Sequence, residues 1–116
     1  MTLTVLNFFA GPGAGKTTNA LETTAMLKRA GYEAEFVPEF ARELAIEGRL
    51  VGYPQEVIFR EQYRRIKRLE GHMQFAVCDS PLLMQLAYTD DEALRKEIVD
   101  ASRDWDRCNL FVVNPR

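Results

Sequence analysis

The sequence is poor in the residues that build metal cages and disulfide frameworks, with one histidine and two cysteines in 116 residues. Cys78, inside the apolar run FAVC, and Cys108, just before NLFVV, show no metal-ligand spacing. Both are expected to be small buried hydrophobes, in a reducing, cytoplasmic setting. His72 stands alone near a helix end, where a capping role is expected and a catalytic one is not. Strong charge of one sign is also missing. The formal net charge is -2, so no general field attracts polyanions, and contact with nucleic acid would need a local basic face. No stretch is long and apolar enough to span a bilayer, and MTLTVLNFFA lacks the basic start of a secretory leader. Repeats, linkers and low-complexity segments are absent from the sequence, and a chain of this length has room for one core. A single domain over 1–116 is expected.

What is present is an alternation of short apolar runs with helical patterns, which predicts an α/β fold with a parallel sheet and crossover helices. Strands are expected at LTVLNFF (Leu3 to Phe9), EAEFVP (about Glu33 to Val37), QFAVCD (Gln74 to Asp79) and NLFVVN (Asn109 to Asn114). The first and last are continuously apolar, as strands covered on both faces should be. Ala20, Leu21, Ala25 and Leu27 recur at helical spacing over Thr17 to Ala30, and Gly31 follows as a stop. A short helix is expected from about Glu39 to Glu47. A longer one begins with Pro54 at its first position, carries Ile58, Phe59, Ile66 and Leu69 on one stripe, and closes at Gly71. SPLLMQLAY reads as helical, and Thr89 with Glu92 fits a capping box opening a last helix through about Asp104.

Between the first strand and the first helix lies A-x-x-x-x-G-K-T: Ala10, Gly11, Pro12, Gly13, Ala14, Gly15, Lys16, Thr17. This is a phosphate-binding loop in the strand–loop–helix context that gives the motif meaning. Ala10 replaces the first glycine of the strict pattern, and the remaining glycines still free the backbone to turn its N–H groups inward. Backbone donors from Gly13 to Thr18 would converge on phosphates at the helix N-terminus. Lys16 would reach the β- and γ-phosphates, Thr17 would hold Mg²⁺, and Thr18 would touch the α-phosphate. ATP and Mg²⁺ are therefore the expected cofactors.

A loop of this kind needs an acidic residue at the end of a neighbouring strand. Asp79, closing FAVCD, is the candidate metal ligand, and its alternative is to cap the following helix together with Ser80. Glu39, after the second strand, is a candidate general base, set against an ordinary surface position near a helix start. Arg42, one turn later, either pairs with Glu39 or holds substrate. Gln62 falls on the apolar stripe of the long helix, so its amide either reads the edge of a base or bonds to nearby backbone. Arg60, Arg64, Lys67 and Arg68 form a basic stripe, read as a solvated face or as a nucleic-acid contact.

Taken together, GPGAGKTT, VPEFARE, FREQY and VCDSPLL resemble the small P-loop kinases and AAA-labelled ATPase domains typified by the nicotinamide riboside kinase domain of phage and bacterial proteins. The chain is more distantly similar to deoxyribonucleoside and thymidylate kinases. The resemblance implies a P-loop NTPase three-layer sandwich with sheet order 2-3-1-4, and phosphoryl transfer from ATP to a hydroxyl of a nucleoside, nucleotide or related small molecule. It implies Glu39 as the base acting on that hydroxyl, Gln62 as the reader of the acceptor's base, and Asp79 as the magnesium ligand, with Lys16 in the catalytic set. It also implies a fifth strand and an arginine-bearing lid after the fourth strand. Arg116 would be the first lid arginine, and three outcomes stay open: a further C-terminal segment completes the site, another subunit in a homo-oligomer does so, or activity has been lost. Three alternatives stay open: an ATPase or GTPase switch in which Glu39 orients water, a nucleotide-binding regulatory module without an acceptor, and a phage kinase acting on a modified base in DNA.

Overall fold

The apolar run after Met1 is the natural centre of a sheet. In the computed structural model, which describes residues 2–10 and 15–112, Thr4–Phe9 forms β1, an inner strand of a four-stranded sheet ordered β2-β3-β1-β4. On one side β1 pairs with β3 (Phe75–Cys78), from Thr4↔Phe75 to Asn7↔Cys78. On the other it pairs with β4 (Asp106–Phe111), from Thr4↔Asp106 to Phe9↔Phe111. β2 (Ala34–Val37) lies outside β3. Every pairing is parallel, as is the expected order. Parallel strands bring their carboxyl ends to one edge, so the segments after β1, β2 and β3 meet there although they are far apart in sequence.

Alternation along the strands splits the core in two, because successive side chains point to opposite faces. Phe8 and Val77 face α1 (Lys16–Arg29), where Ala20 is fully buried and Leu27, Phe36 and Leu110 pack around them. Val5, Val37, Ala76 and Cys78 face the other layer, built by α3 (Gln55–Lys67) and α4 (Glu92–Ala101). Phe59, Ile66 and Leu69 from the expected stripe enter that core together with Leu94 and Ile98, and Ile58 is buried as well. Burying a side chain of this size contributes about 1.5–3 kcal/mol. A short helix α2 (Phe40–Ile46) follows β2, and a 3-10 helix (Leu82–Tyr88) follows β3. The result is a three-layer α/β sandwich.

Several local expectations are corrected. Leu21 is half exposed, because the sheet-facing side of α1 is occupied by Ala20, Thr24 and Leu27. Pro54 is the residue preceding α3 rather than its first turn, and α3 ends at Lys67, before the turns that lead to Gly71. The cap of α4 is Asp91, whose Oδ1 accepts from the N–H groups of Ala93 and Leu94 at 2.9 and 3.2 Å. Thr89 instead accepts from the Asp91 N–H. An aspartate at this position both fills the unpaired donors and adds negative charge at the positive helix end. β4 starts three residues earlier than its apolar run, at Asp106, because pairing with β1 sets its register. It is mostly exposed, and Cys108 with it, so only Cys78 is the buried cysteine expected. No helix among the described residues is long and apolar enough to cross a membrane.

Candidate functional site

The apolar run of β3 ends in a carboxylate that stays inside. Val77 and Cys78 are fully buried and Asp79, next in the chain, is 6% exposed. Thr17, in the first turn of α1, donates its Oγ1 hydrogen to Asp79 Oδ2 at 2.5 Å. Asp79 Oδ1 is buried without any hydrogen-bond partner, the one such side-chain atom among the described residues. An unpaired carboxylate oxygen in a low-dielectric site is costly, and a hard cation is the partner that suits it. The Thr17 hydroxyl and the Asp79 carboxylate are the oxygen donors that Mg²⁺ takes, so the residues present fit that ion. Neither Asp79 nor Ser80 caps the 3-10 helix, whose start has no side-chain cap bond. Burial and the neighbouring Asp79 push the Cys78 thiol up to about 12, and its side chain belongs to the apolar core with Phe59, Ile66 and Leu82.

The N-terminus of α1 suits an anion. Gly15 precedes it at φ +78°, in the left-handed region, no side chain caps it, and its first turn holds no acidic residue. A helix start leaves N–H groups without partners inside the helix and carries the positive end of the dipole, which fits a phosphate chain. Gly11, Pro12, Gly13 and Ala14 lie outside the described residues, as does Arg116. Thr18 is exposed on α1, and Lys16, the first residue of the helix, lines the adjoining cleft.

Glu39 sits in the turn between β2 and α2, and α3 anchors that turn from below. Gln62 is 1% exposed. Its Oε1 accepts from the Phe40 N–H at 2.8 Å and its Nε2 donates to the Pro38 carbonyl at 3.1 Å. One amide thus binds the backbone on both sides of Glu39. Arg65, one turn further along α3, donates to the same Pro38 carbonyl at 3.2 Å and lies 5.1 Å from the centre of the Phe40 ring. It also pairs with Glu43 at 2.7 Å and Glu61 at 2.9 Å. Bonds from Arg64 and Arg65 bring the Glu61 carboxyl down from its ordinary 4.5 to about 2, and the Arg65 bond lowers Glu43 as well. Glu39 itself accepts from Ser80 Oγ through Oε2 at 3.0 Å, which ties the candidate base to the residue after the candidate metal ligand. Arg65 was not singled out from sequence. Its signals were a glutamate four residues before it and a place three residues after Gln62, on the same helical face.

A cleft of about 540 Å³ brings together Lys16, Glu39, Arg42, Gln62 and Ser80. That volume lies within the roughly 300–1,000 Å³ of small-molecule sites. Arg42 is exposed there and makes no ion pair with Glu39. Two lining residues that sequence reasoning missed are Gln55 and Gln85. Gln85 is 6% exposed and accepts through Oε1 from Gln55 Nε2 at 2.9 Å. The basic stripe of α3 is largely neutralised. Arg60 pairs with Glu97, Arg64 with Glu61 and Lys67 with Glu70, leaving Arg68 without an ion pair among the described residues.

A parallel sheet in this order, with the glycine-lysine-threonine turn after its inner strand and an aspartate at the neighbouring strand's tip, defines a P-loop kinase-like α/β fold. Among solved structures, the chain is similar to an APS kinase of Mycobacterium tuberculosis, a point mutant of CysC. The TM-score is 0.58 and the identity 20%, over 98% of this chain and 78% of that one. It also matches the crystal structure of APE1195, with a TM-score of 0.48 and 24% identity, over 97% of this chain and 60% of that one. At this identity, the likeness to the APS kinase is one of fold. No protein-family model matches the sequence, and no curated protein matches it significantly.

Proposed function

We propose that the protein transfers the γ-phosphoryl group of ATP to a hydroxyl of a nucleoside, nucleotide or related small molecule. The observation that carries this reading is that Lys16 from the phosphate-binding loop and Glu39 from the β2–α2 turn line one cleft of small-molecule size. A switch that only hydrolyses nucleotide has no need of such a cleft. A kinase does, because the acceptor has to lie between the base and the phosphate. The similarity to a protein named as a kinase is in keeping with this, and the acceptor class follows the resemblance to the nicotinamide riboside kinase domain. Arg60, Arg64 and Lys67 of the α3 stripe are each engaged by a glutamate, which gives a DNA substrate less support than a small acceptor.

In this reading Lys16 and the N-terminal donors of α1 would bind the phosphates, and Thr17 with Asp79 would hold Mg²⁺. When bound, ATP with Mg²⁺ supplies the transferable phosphoryl group and neutralises its charge. Glu39 does the proton chemistry. Ser80 occupies its Oε2, which fixes the carboxylate and leaves Oε1 to accept the proton of the acceptor hydroxyl. Gln62 and Arg65 keep that carboxylate in place through the flanking backbone.

The test is transfer of label from ATP to a panel of nucleosides, nucleotides and nicotinamide riboside. Transfer to at least one of them is expected. Glu39→Gln should lower the rate by about 100-fold or more with ATP affinity unchanged, as loss of a general base does. ATP turnover that is indifferent to every acceptor would instead establish a switch.

A further inference from the structure

The acceptor cleft contains a hydrogen-bonding device separate from Glu39 and Gln62. Gln85 is nearly buried, and only its Oε1 is engaged, by Gln55 Nε2. Its Nε2 has no hydrogen-bond partner among the described residues, yet it is not among the buried atoms that lack one. It therefore opens onto the cleft that Gln85 and Gln55 both line. The Gln55 Oε1 is likewise left without a partner. Turning both amides over changes nothing essential, since one N–H still bonds one C=O and the pair still offers one donor group and one acceptor. The pair therefore presents one free donor group and one free acceptor to the cleft, held in fixed relation by the bond between them and open to a ligand that displaces water.

We propose that Gln55 and Gln85 read the acceptor, taking a planar ring whose edge presents a hydrogen-bond acceptor beside a donor, the chemistry shared by a nucleobase and a ring carboxamide. The inference rests on this cleft being the acceptor's. Gln62 is the residue that resemblance assigns to base reading, but its amide is held at both ends by Pro38 and Phe40. Tyr53, Met84 and Tyr88 also line the cleft and supply the aromatic and polarisable surface on which ring faces pack. The specificity pair thus joins the start of α3 to the 3-10 helix, 30 residues apart in sequence.

The experiment is calorimetric titration of the wild-type chain, Gln85→Glu and Gln85→Met with adenosine, cytidine, thymidine, nicotinamide riboside and plain ribose, run beside labelled-ATP transfer. Gln85→Glu keeps the shape and the bond from Gln55, so it decides the matter if Gln85→Met fails to fold. At least one ringed compound should bind the wild type ~10-fold or more tighter than either variant, as loss of a paired amide contact requires, while ribose affinity stays level. A nucleoside binding tightest identifies a base, and nicotinamide riboside binding tightest identifies a carboxamide. Ring-dependent binding that is lost in the variants, with no phosphate transferred, overturns the kinase reading and upholds the amide pair. Transfer whose acceptor preference survives both substitutions overturns the pair and upholds the kinase. A wild-type chain that binds no ringed compound better than ribose overturns the pair as well.

Discussion

Replacing Asp79 by asparagine separates what this residue does for the fold from what it does for the ligand. Without nucleotide, the substitution has two opposing effects. Removing the negative charge relieves a buried carboxylate whose Oδ1 has no partner, which gains about 1–3 kcal/mol. Against that, the bond from Thr17 changes from one made to an ion, worth about 1.5–3 kcal/mol, to a neutral one of about 0.5–1.5 kcal/mol, and the new amide N–H lacks an acceptor. The weakened bond loses about 1–1.5 kcal/mol and the unpaired amide costs about 1–3 kcal/mol, so against the gain apo stability should fall by about 1 kcal/mol. With Mg²⁺ and ATP at ~100 times Kd, the wild-type chain should gain about 2.7 kcal/mol. For a chain of this size that is on the order of 10 °C in Tm. Losing a metal ligand should weaken binding by ~100-fold, since even outer-shell partners of a metal account for about 10–100-fold. At the same concentration the variant then gains only about 0.4 kcal/mol, one or two degrees. The assay is differential scanning fluorimetry of both chains, alone, with ATP and chelator, and with ATP and Mg²⁺. Equal upward shifts with Mg²⁺ and ATP would refute the argument, because they would mean that Asp79 Oδ1 is buried for some reason other than the metal.

The anchoring of the Glu39 turn gives another prediction. Gln62→Leu leaves the Phe40 N–H without its acceptor and should cost about 1–3 kcal/mol in chemical denaturation. Phosphoryl transfer should fall with ATP affinity unchanged, and unaltered stability would show that the amide does not hold the turn. Acid titration tests the Arg65 network. Glu61 sits at about 2 in the folded chain against an ordinary 4.5, and Glu43 is lowered too, so their pairing stabilises fully above pH 4.5 and is lost as pH falls toward 2. Arg65→Met should remove the Glu43 part of that loss and lessen the Glu61 part, whose first partner Arg64 remains, and Arg64→Met with Arg65→Met should flatten the curve across the window; a double variant as steep as the wild type would count against the pairing.

Much of the site was legible because its parts are local. The run from Ala10 to Thr17 sets turn, helix start and lysine within one strand–loop–helix unit, and Asp79 is marked by closing an apolar strand. Glu39 was legible only as the residue after a strand whose carboxyl end had to open on the same cleft. The ambiguity at Gln62 came from the limits of periodicity, which places the amide on the buried face but cannot name what it meets. Its partners, Pro38 and Phe40, are 24 and 22 residues away, on a different element. Gln85 gave no signal, because a glutamine in SPLLMQLAY looks like any polar residue of a short helical turn until Gln55 is folded against it. The start of β4 was misplaced for a related reason, while Val113 and Asn114, at its expected end, lie outside the described residues. Apolarity marks NLFVV, whereas its start follows from pairing Asp106 with Thr4, a contact spanning most of the chain.

By itself the sequence determined the parallel α/β plan, the start of α1 directly after a glycine-rich stretch and the acidic residues at the tips of β2 and β3, because each is written in short-range pattern: unbroken apolar runs, helical spacing, and glycines before a lysine and a threonine. Only the tertiary structure decided how those residues are used. It set Asp79 Oδ1 apart as a buried atom without a partner, tied Glu39 to Ser80, engaged the Gln62 amide with backbone, and paired Gln55 with Gln85 in the cleft. The physical reason is that a polar group's role depends on which partners burial leaves it, and those partners come from segments that only the closed sheet brings together.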